Sequence, residues 1–127
     1  MNHQDDFEML QGLWLQVGYE RDGVISPMDV EQGWNPLTQI SGHDFTVTIS
    51  DGNTILVGTF LLDYAKQPKE IDWTDTSGSY ASDRTIRAIY TLAENEFVFC
   101  AAYDGAARPT EFKTKPGQVL RRMRRNT

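Results

Sequence analysis

The chain has 127 residues, 39% hydrophobic and 24% charged, with a formal net charge of −6. That length predicts a single domain able to bury roughly two thirds of its unfolded surface without a covalent staple, and the composition excludes a disordered chain. The lone cysteine, Cys100, excludes an intramolecular disulfide and favours a reducing compartment.

The first residues, Met1 to Asp6, carry neither a basic stretch nor an apolar core, so no signal peptide is visible. No apolar run approaches the roughly 20 residues of a membrane helix, and a cytoplasmic location is the expectation. Residues 1–9 form an N-terminal segment in which Phe7, Met9 and Leu10 fall near helical spacing. One or two helical turns that close one end of the fold are expected there, with a frayed tail as the alternative.

Gln11-Gly12-Leu13-Trp14 opens the first strand. Leu13 to Glu20 alternates with period two, which is the signature of a strand. Arg21-Asp22-Gly23 is turn chemistry. In residues 26–36, Ser26 can cap a helix, Pro27 suits its first position and Gly33 can end it, so a short helix or lid loop is predicted.

Leu37 to Ser41 reads as a short strand, and Phe45 to Ile49 as another that places its threonines outside. Ser50-Asp51-Gly52-Asn53 is a strong hairpin signal. Thr54 to Leu62 returns, with Gly58 marking a bend or a close backbone approach. Glu70 to Thr74 is a short strand, 75–83 a polar loop, and Arg84 to Leu92 the next strand. Phe97 to Tyr103 is apolar on both faces, so both should be covered. Thr110 to Phe112 is expected to pair briefly, and Gln118 to Arg125 forms the last strand. Short strands at this spacing predict an all-β sandwich or barrel, and closure into a barrel removes the exposed edges.

With the strands placed, Leu10–Trp14 resembles the Gly-x-Trp opening of lipocalin-like proteins. Phe45–Val47, Gly58–Asp63, Pro68–Asp72, Ile89–Leu92 and Arg108–Phe112, in that order, resemble a lipocalin-like domain of unknown function abundant in planctomycete proteins. The resemblance runs from residue 10 to about 125, which makes residues 10–127 the expected domain and a bacterial source the expectation. The 24–36 segment with Trp34, and the last strand with its arginines, depart from that pattern. The resemblance implies an eight-stranded antiparallel up-and-down barrel with no settled activity. It also implies that a basic residue of the last strand, Arg124 or Arg125, lies over Trp14 as a structural plug, a contact worth about 0.5–2 kcal/mol.

If Trp14 faces inward, strict alternation sends Gln16, Gly18 and Glu20 inward as well. Gln16, Glu20, Phe60, Trp73, Arg84 and Tyr90 then become the candidate ligand-binding residues of a cup above Trp14. Such a cup is apolar with a few polar groups, as small-molecule pockets are. An interior filled by its own side chains is the equal alternative, because eight strands permit either. Glu20 with Arg84 reads more simply as an ion pair at the rim.

Catalytic residues are not expected. His3 and His43 are the only histidines and have no partners at metal-ligand spacing, and no nucleophile elbow or phosphate loop occurs. No metal or cofactor is predicted. Residues 108–127 hold seven basic side chains and one acidic, against five basic and seventeen acidic before them. The overall acidity argues against a nucleic-acid partner. The leading expectation is a non-enzymatic barrel that binds a small, partly apolar molecule. A protein-interaction module using 26–36, 75–83 or the basic last strand is the alternative, and neither reading fixes the oligomeric state.

Overall fold

The computed structural model describes residues 3–26, 36–78, 85–103 and 106–126. Helix α1 (His3–Leu10) is followed by strands β1 (Gly12–Arg21), β2 (Val24–Ser26), β3 (Leu37–Ser41), β4 (Asp44–Thr48), β5 (Thr54–Asp63), β6 (Lys69–Ser77), β7 (Thr85–Leu92), β8 (Glu96–Ala102) and β9 (Gln118–Arg125). Every pairing is antiparallel, β3 to β9 pair in chain order, and β1 pairs with both β3 and β9. The sheet therefore closes on itself as an eight-stranded up-and-down barrel.

Strand β2 is an addition. It forms a tight hairpin on the last residues of β1, while β3 pairs with the first four, so β2 and β3 lie in line along one side of β1. Residues 27–35, which fall in that break, lie outside the described residues, and with them the predicted helix, Pro27 and Trp34.

The predicted hairpin at 50–53 forms. The Ile49 N–H donates to the Asn53 carbonyl at 3.0 Å, and Gly52 takes a positive φ of 88°. Two sequence expectations differ from the structure. β6 continues to Ser77, where a loop from 75 is predicted, because Gly58 pairs with Asp75 and, past an irregularity, Val57 with Ser77. Thr110–Phe112 makes no strand; it belongs to a segment laid across the outside of the barrel.

The interior is one apolar cluster. Trp14, Phe45, Phe60, Ile71, Trp73, Tyr90, Phe97 and Phe99 are its large members, contributed by strands all round the wall. Their rings meet at angles, with Phe45 edge-on to Trp73 at 5.1 Å and Trp14 edge-on to Phe97 at 5.8 Å, the geometry that aromatic quadrupoles favour.

A second, smaller cluster lies outside the wall: Ile89, Val98, Cys100 and Leu120, covered by Phe112. It explains why β8 is apolar on both faces, since every residue from Phe97 to Ala102 is buried. The covering segment, residues 106–117, is tied down at each end. Arg108 donates from Nη1 to the Asp72 carboxylate at 2.7 Å and to the Ala88 carbonyl at 2.9 Å, and its Nε lies 3.4 Å from Glu70. At the far end the Thr114 hydroxyl accepts from the Gly23 N–H at 2.8 Å, and the Gly117 N–H donates to Asp22 at 2.8 Å. This strap accordingly crosses the outer face from β6 round to the β1–β2 turn.

Candidate functional site

The end of the barrel carrying α1 is sealed. Leu10 is buried, and Phe7 stacks beside His43 and Phe60. A helix leaves its last carbonyls without internal partners. Here the Trp14 Nε1–H donates to the Leu10 carbonyl at 2.8 Å, and the Arg125 guanidinium donates to the carbonyls of Met9, Gln11 and Glu94. The same guanidinium carbon stands 4.2 Å over the Trp14 ring. Arg125 is therefore the residue of the plug. Arg124, its neighbour, is exposed on the other face of β9.

Tyr90 belongs to this sealed end as well. Its hydroxyl donates to the buried Asp6 carboxylate at 2.6 Å, and Lys69 donates to the same oxygen at 2.9 Å. Burial first, and the Asp6 hydrogen bond second, raise the Tyr90 pKa above its ordinary value. Phe60 packs there too, between Phe7 and Trp73. Tyr90 and Phe60 thus face inward as predicted, but they build the base and do not line a mouth.

The mouth is the opposite end, and alternation fails on the way to it. Along β1 and β9, Trp14 pairs with Arg125 and Gln16 with Met123, but Gly18 pairs with Arg122, so Val17 is an extra residue. A bulge of this kind reverses which side chains face in. Beyond it, Tyr19 pairs with Arg121 and Arg21 with Val119, which is in the interior cluster, while Glu20 pairs with Leu120 of the outer cluster. Glu20 is therefore not in the cup, contrary to the strict-alternation expectation. Its carboxylate accepts from the Thr114 N–H at 2.6 Å and from the Thr114 hydroxyl, and these bonds hold its pKa below the usual carboxylate value. Arg84, its predicted rim partner, lies outside the described residues.

The bulge turns Tyr19 and Arg21 inward, where they join Arg121 of β9 and Tyr103 at the end of β8, which face in by plain alternation. The Arg121 guanidinium lies 4.9 Å from the Tyr19 ring centre and donates to the Gln16 amide oxygen at 2.9 Å. The Arg21 guanidinium lies 5.0 Å from the Tyr103 ring centre. Burial raises the Tyr103 pKa, as does Tyr19, against the opposing pull of Arg21 and Arg121. Facing this wall across the barrel are Val47, Leu56 and Ile86, each packed against the core yet only half buried, and the buried Asp75. Beneath them Trp73 is packed among Phe45, Phe60, Phe97 and Phe99. Its Nε1–H is buried and has no acceptor among the described residues. An unsatisfied buried donor costs about 1–3 kcal/mol.

Of the six residues predicted for a cup, Gln16 and Trp73 face the interior midway along the barrel, Phe60 and Tyr90 lie towards the sealed end, Glu20 faces outward, and Arg84 lies outside the described residues. Tyr19, Arg21, Tyr103, Arg121 and Asp75 went unpredicted. A sequence signal for Tyr19 and Arg21 exists: Gly18 inside a strand marks a bulge or a close approach, and a Cβ there would meet the Arg122 Cβ at 3.2 Å; Arg121 and Tyr103 follow from alternation along their own strands. Among the described residues no three His, Cys, Asp or Glu side chains are grouped to hold a metal ion, and no helix is long and apolar enough to cross a membrane.

No protein-family model matches the chain, and a search of curated proteins finds no significant match.

Proposed function

We propose that this protein is a lipocalin-like carrier or sensor that holds one small, partly apolar molecule in the cup at the mouth of its barrel. The observation that carries this reading is a gradient of burial along the inside wall. At the base, Trp14, Ile71 and Phe97 are 0% exposed. At the mouth, Tyr19, Val47, Leu56, Ile86 and Tyr103 face inward and remain partly open to solvent. Inward-facing apolar groups that stay wet are what a ligand covers, and burying them stabilises a complex by about 25 cal/mol per Å² before the costs of association. The unsatisfied Trp73 donor adds a place for a ligand's acceptor, or a water, at the floor.

The test is a titration with a neutral apolar fluorophore, N-phenylnaphthylamine, alongside native mass spectrometry after exposure to a cell extract. One probe per chain, displaced by extract, is expected, with binding weakened at least about ten-fold by Val47→Trp, which fills the cup from its aliphatic wall. Probe binding unchanged in that variant, with no extract molecule retained, would defeat the proposal. The weight would then pass to a protein-interaction role, for which the observation is Val24 and Ile25 on β2, 65% and 80% exposed.

A further inference from the structure

We infer that the strap at 106–117 and the rim of the mouth open as one unit, so that a molecule held in the cup locks the strap over the outer cluster and an empty cup lets it lift. This inference rests on the cup being a binding site, and it gives that site an output on the outside of the barrel.

The rim has two faces. Tyr19, Glu20 and Arg21 are consecutive, and beyond the bulge Tyr19 and Arg21 face the mouth while Glu20 faces the strap. Tyr103 is shared in the same way. Its ring packs against the interior cluster, and its N–H donates at 3.0 Å to the carbonyl of Gly117, the last residue of the strap. Arg21 lies over the Tyr103 ring at 5.0 Å and so joins the two rim segments across the mouth. The side chains that a ligand covers therefore belong to the same short stretches of chain that hold the strap.

The hold itself is a knot of polar bonds around Thr114. The Thr114 N–H and hydroxyl both donate to Glu20, and the hydroxyl accepts from the Gly23 N–H at 2.8 Å. Asp22, between them in the turn, accepts from the Gly117 N–H at 2.8 Å and gives its own N–H to the Gln118 carbonyl at 3.1 Å. Each of these groups satisfies another, and Thr114 is only 4% exposed. Moving the β1–β2 turn without the strap would leave buried polar groups unpaired, the costly outcome for a partly broken network. Turn and strap end accordingly move together.

The strap is also easier to lift than the wall beneath it. It belongs to no strand, only Pro109 and Thr114 within it are buried, and Phe112 is its contact with the outer cluster. A segment with few apolar contacts and no strand ladder opens at a fraction of the free energy of global unfolding. A ligand that covers Tyr19 and Tyr103 needs the rim in place, so it binds the closed form better than the lifted one and shifts the balance by that difference. Lifting uncovers Ile89, Val98, Cys100 and Leu120. Occupancy of the cup thus controls an apolar patch on the outer face, which is what a sensor needs and a simple carrier does not.

The experiment measures amide hydrogen exchange and Cys100 labelling by a disulfide reagent on the full-length chain, with and without N-phenylnaphthylamine at about a hundred times its dissociation constant. Amides of 106–117 and of the β1–β2 turn are expected to exchange about ten-fold or more slowly with the probe, and Cys100 to label more slowly by a similar factor. Amides of the 49–53 hairpin, whose opening leaves the mouth intact, should be unchanged and serve as the control. Thr114→Val keeps the shape of the side chain and unties the knot, so its strap should exchange faster and be slowed less by the probe. A bound probe that leaves strap exchange or Cys100 labelling unchanged, or that slows the strap equally in Thr114→Val, overturns the coupling while the cup remains a binding site. A probe that does not bind overturns both.

Discussion

Gly58 shows how little room the wall leaves for change. A Cβ built there would lie 2.1 Å from the Thr74 carbonyl oxygen and 2.7 Å from the Phe45 ring. Both neighbours are fixed, one as backbone of the adjacent strand and one as a buried ring edge-on to Trp73. Gly58→Ala is accordingly expected to cost upwards of about 3 kcal/mol, at the high end of overpacking, read as a drop in the urea midpoint. Ala at Gly42, which has open space around its Cβ site, would pay only for its positive φ of 62° and serves as the control. The sequence marks Gly58 as a bend or a close approach, and the close approach is what the fold makes of it. Gly18 carries the same mark, yet period two passes straight through it, because alternation assumes one residue per pairing step and the strand supplies two at Val17.

At the scale of elements, the strap at 106–117 does what no strand pattern forecasts. Arg108 and Phe112 belong to one of the segments that carry the family resemblance. In the fold they anchor the strap, Arg108 on Asp72 and Glu70 and Phe112 on the outer cluster. The other anchor, Glu20 on Thr114, is sensitive to pH. Glu20 has a folded-state pKa lowered from 4.5, chiefly by the Thr114 hydroxyl and then by the Thr114 N–H. Its contribution is therefore complete above the unfolded value and is lost as pH falls through the lower folded value. Glu20→Gln should cost about 1 kcal/mol at pH 7, the reduced worth of a charged hydrogen bond near solvent, and less at pH 3, as the wild-type carboxyl takes up its proton on the way down through its lowered folded-state pKa. Urea unfolding of both chains at the two pH values measures the difference. A gap that stays constant across that range would show that the carboxylate charge plays no part in holding the strap.

Taken whole, the molecule has two buried layers separated by one wall: the aromatic interior and the small outer cluster under the strap. Cys100 reports on the outer layer. It is 0% exposed, and desolvation, with lesser contributions from Glu20 and Glu111, pushes its thiol up to about 11. At pH 8 such a thiol has about a hundred-fold less thiolate than an ordinary cysteine. Native protein should react with a disulfide reagent only through opening of the strap or the barrel, at a rate that rises steeply in subdenaturing urea. Prompt labelling at the rate of the unfolded chain would mean that the strap does not cover the outer cluster.

By itself, the sequence determined most of the strands and an all-β sandwich or barrel; β2 and the outer run of β6 it did not show, and the eight-stranded closure came with the family resemblance. Alternating apolar positions, Asp-Gly and Gly turn signals and a helical spacing before Gly12 are local, and they depend on neighbours a few residues apart. The resemblance placed a basic residue of the last strand, Arg124 or Arg125, over Trp14, and the structure selects Arg125. The tertiary structure alone decided which side chains of β1 line the mouth. That choice depends on a single extra residue at Val17, on Thr114 reaching Glu20 from ninety-four residues away, and on the outer face being covered so that a carboxylate could turn there. Alternation repeats every two residues and carries no memory of an insertion, so the inner wall of the cup becomes known only when β9 is laid against β1.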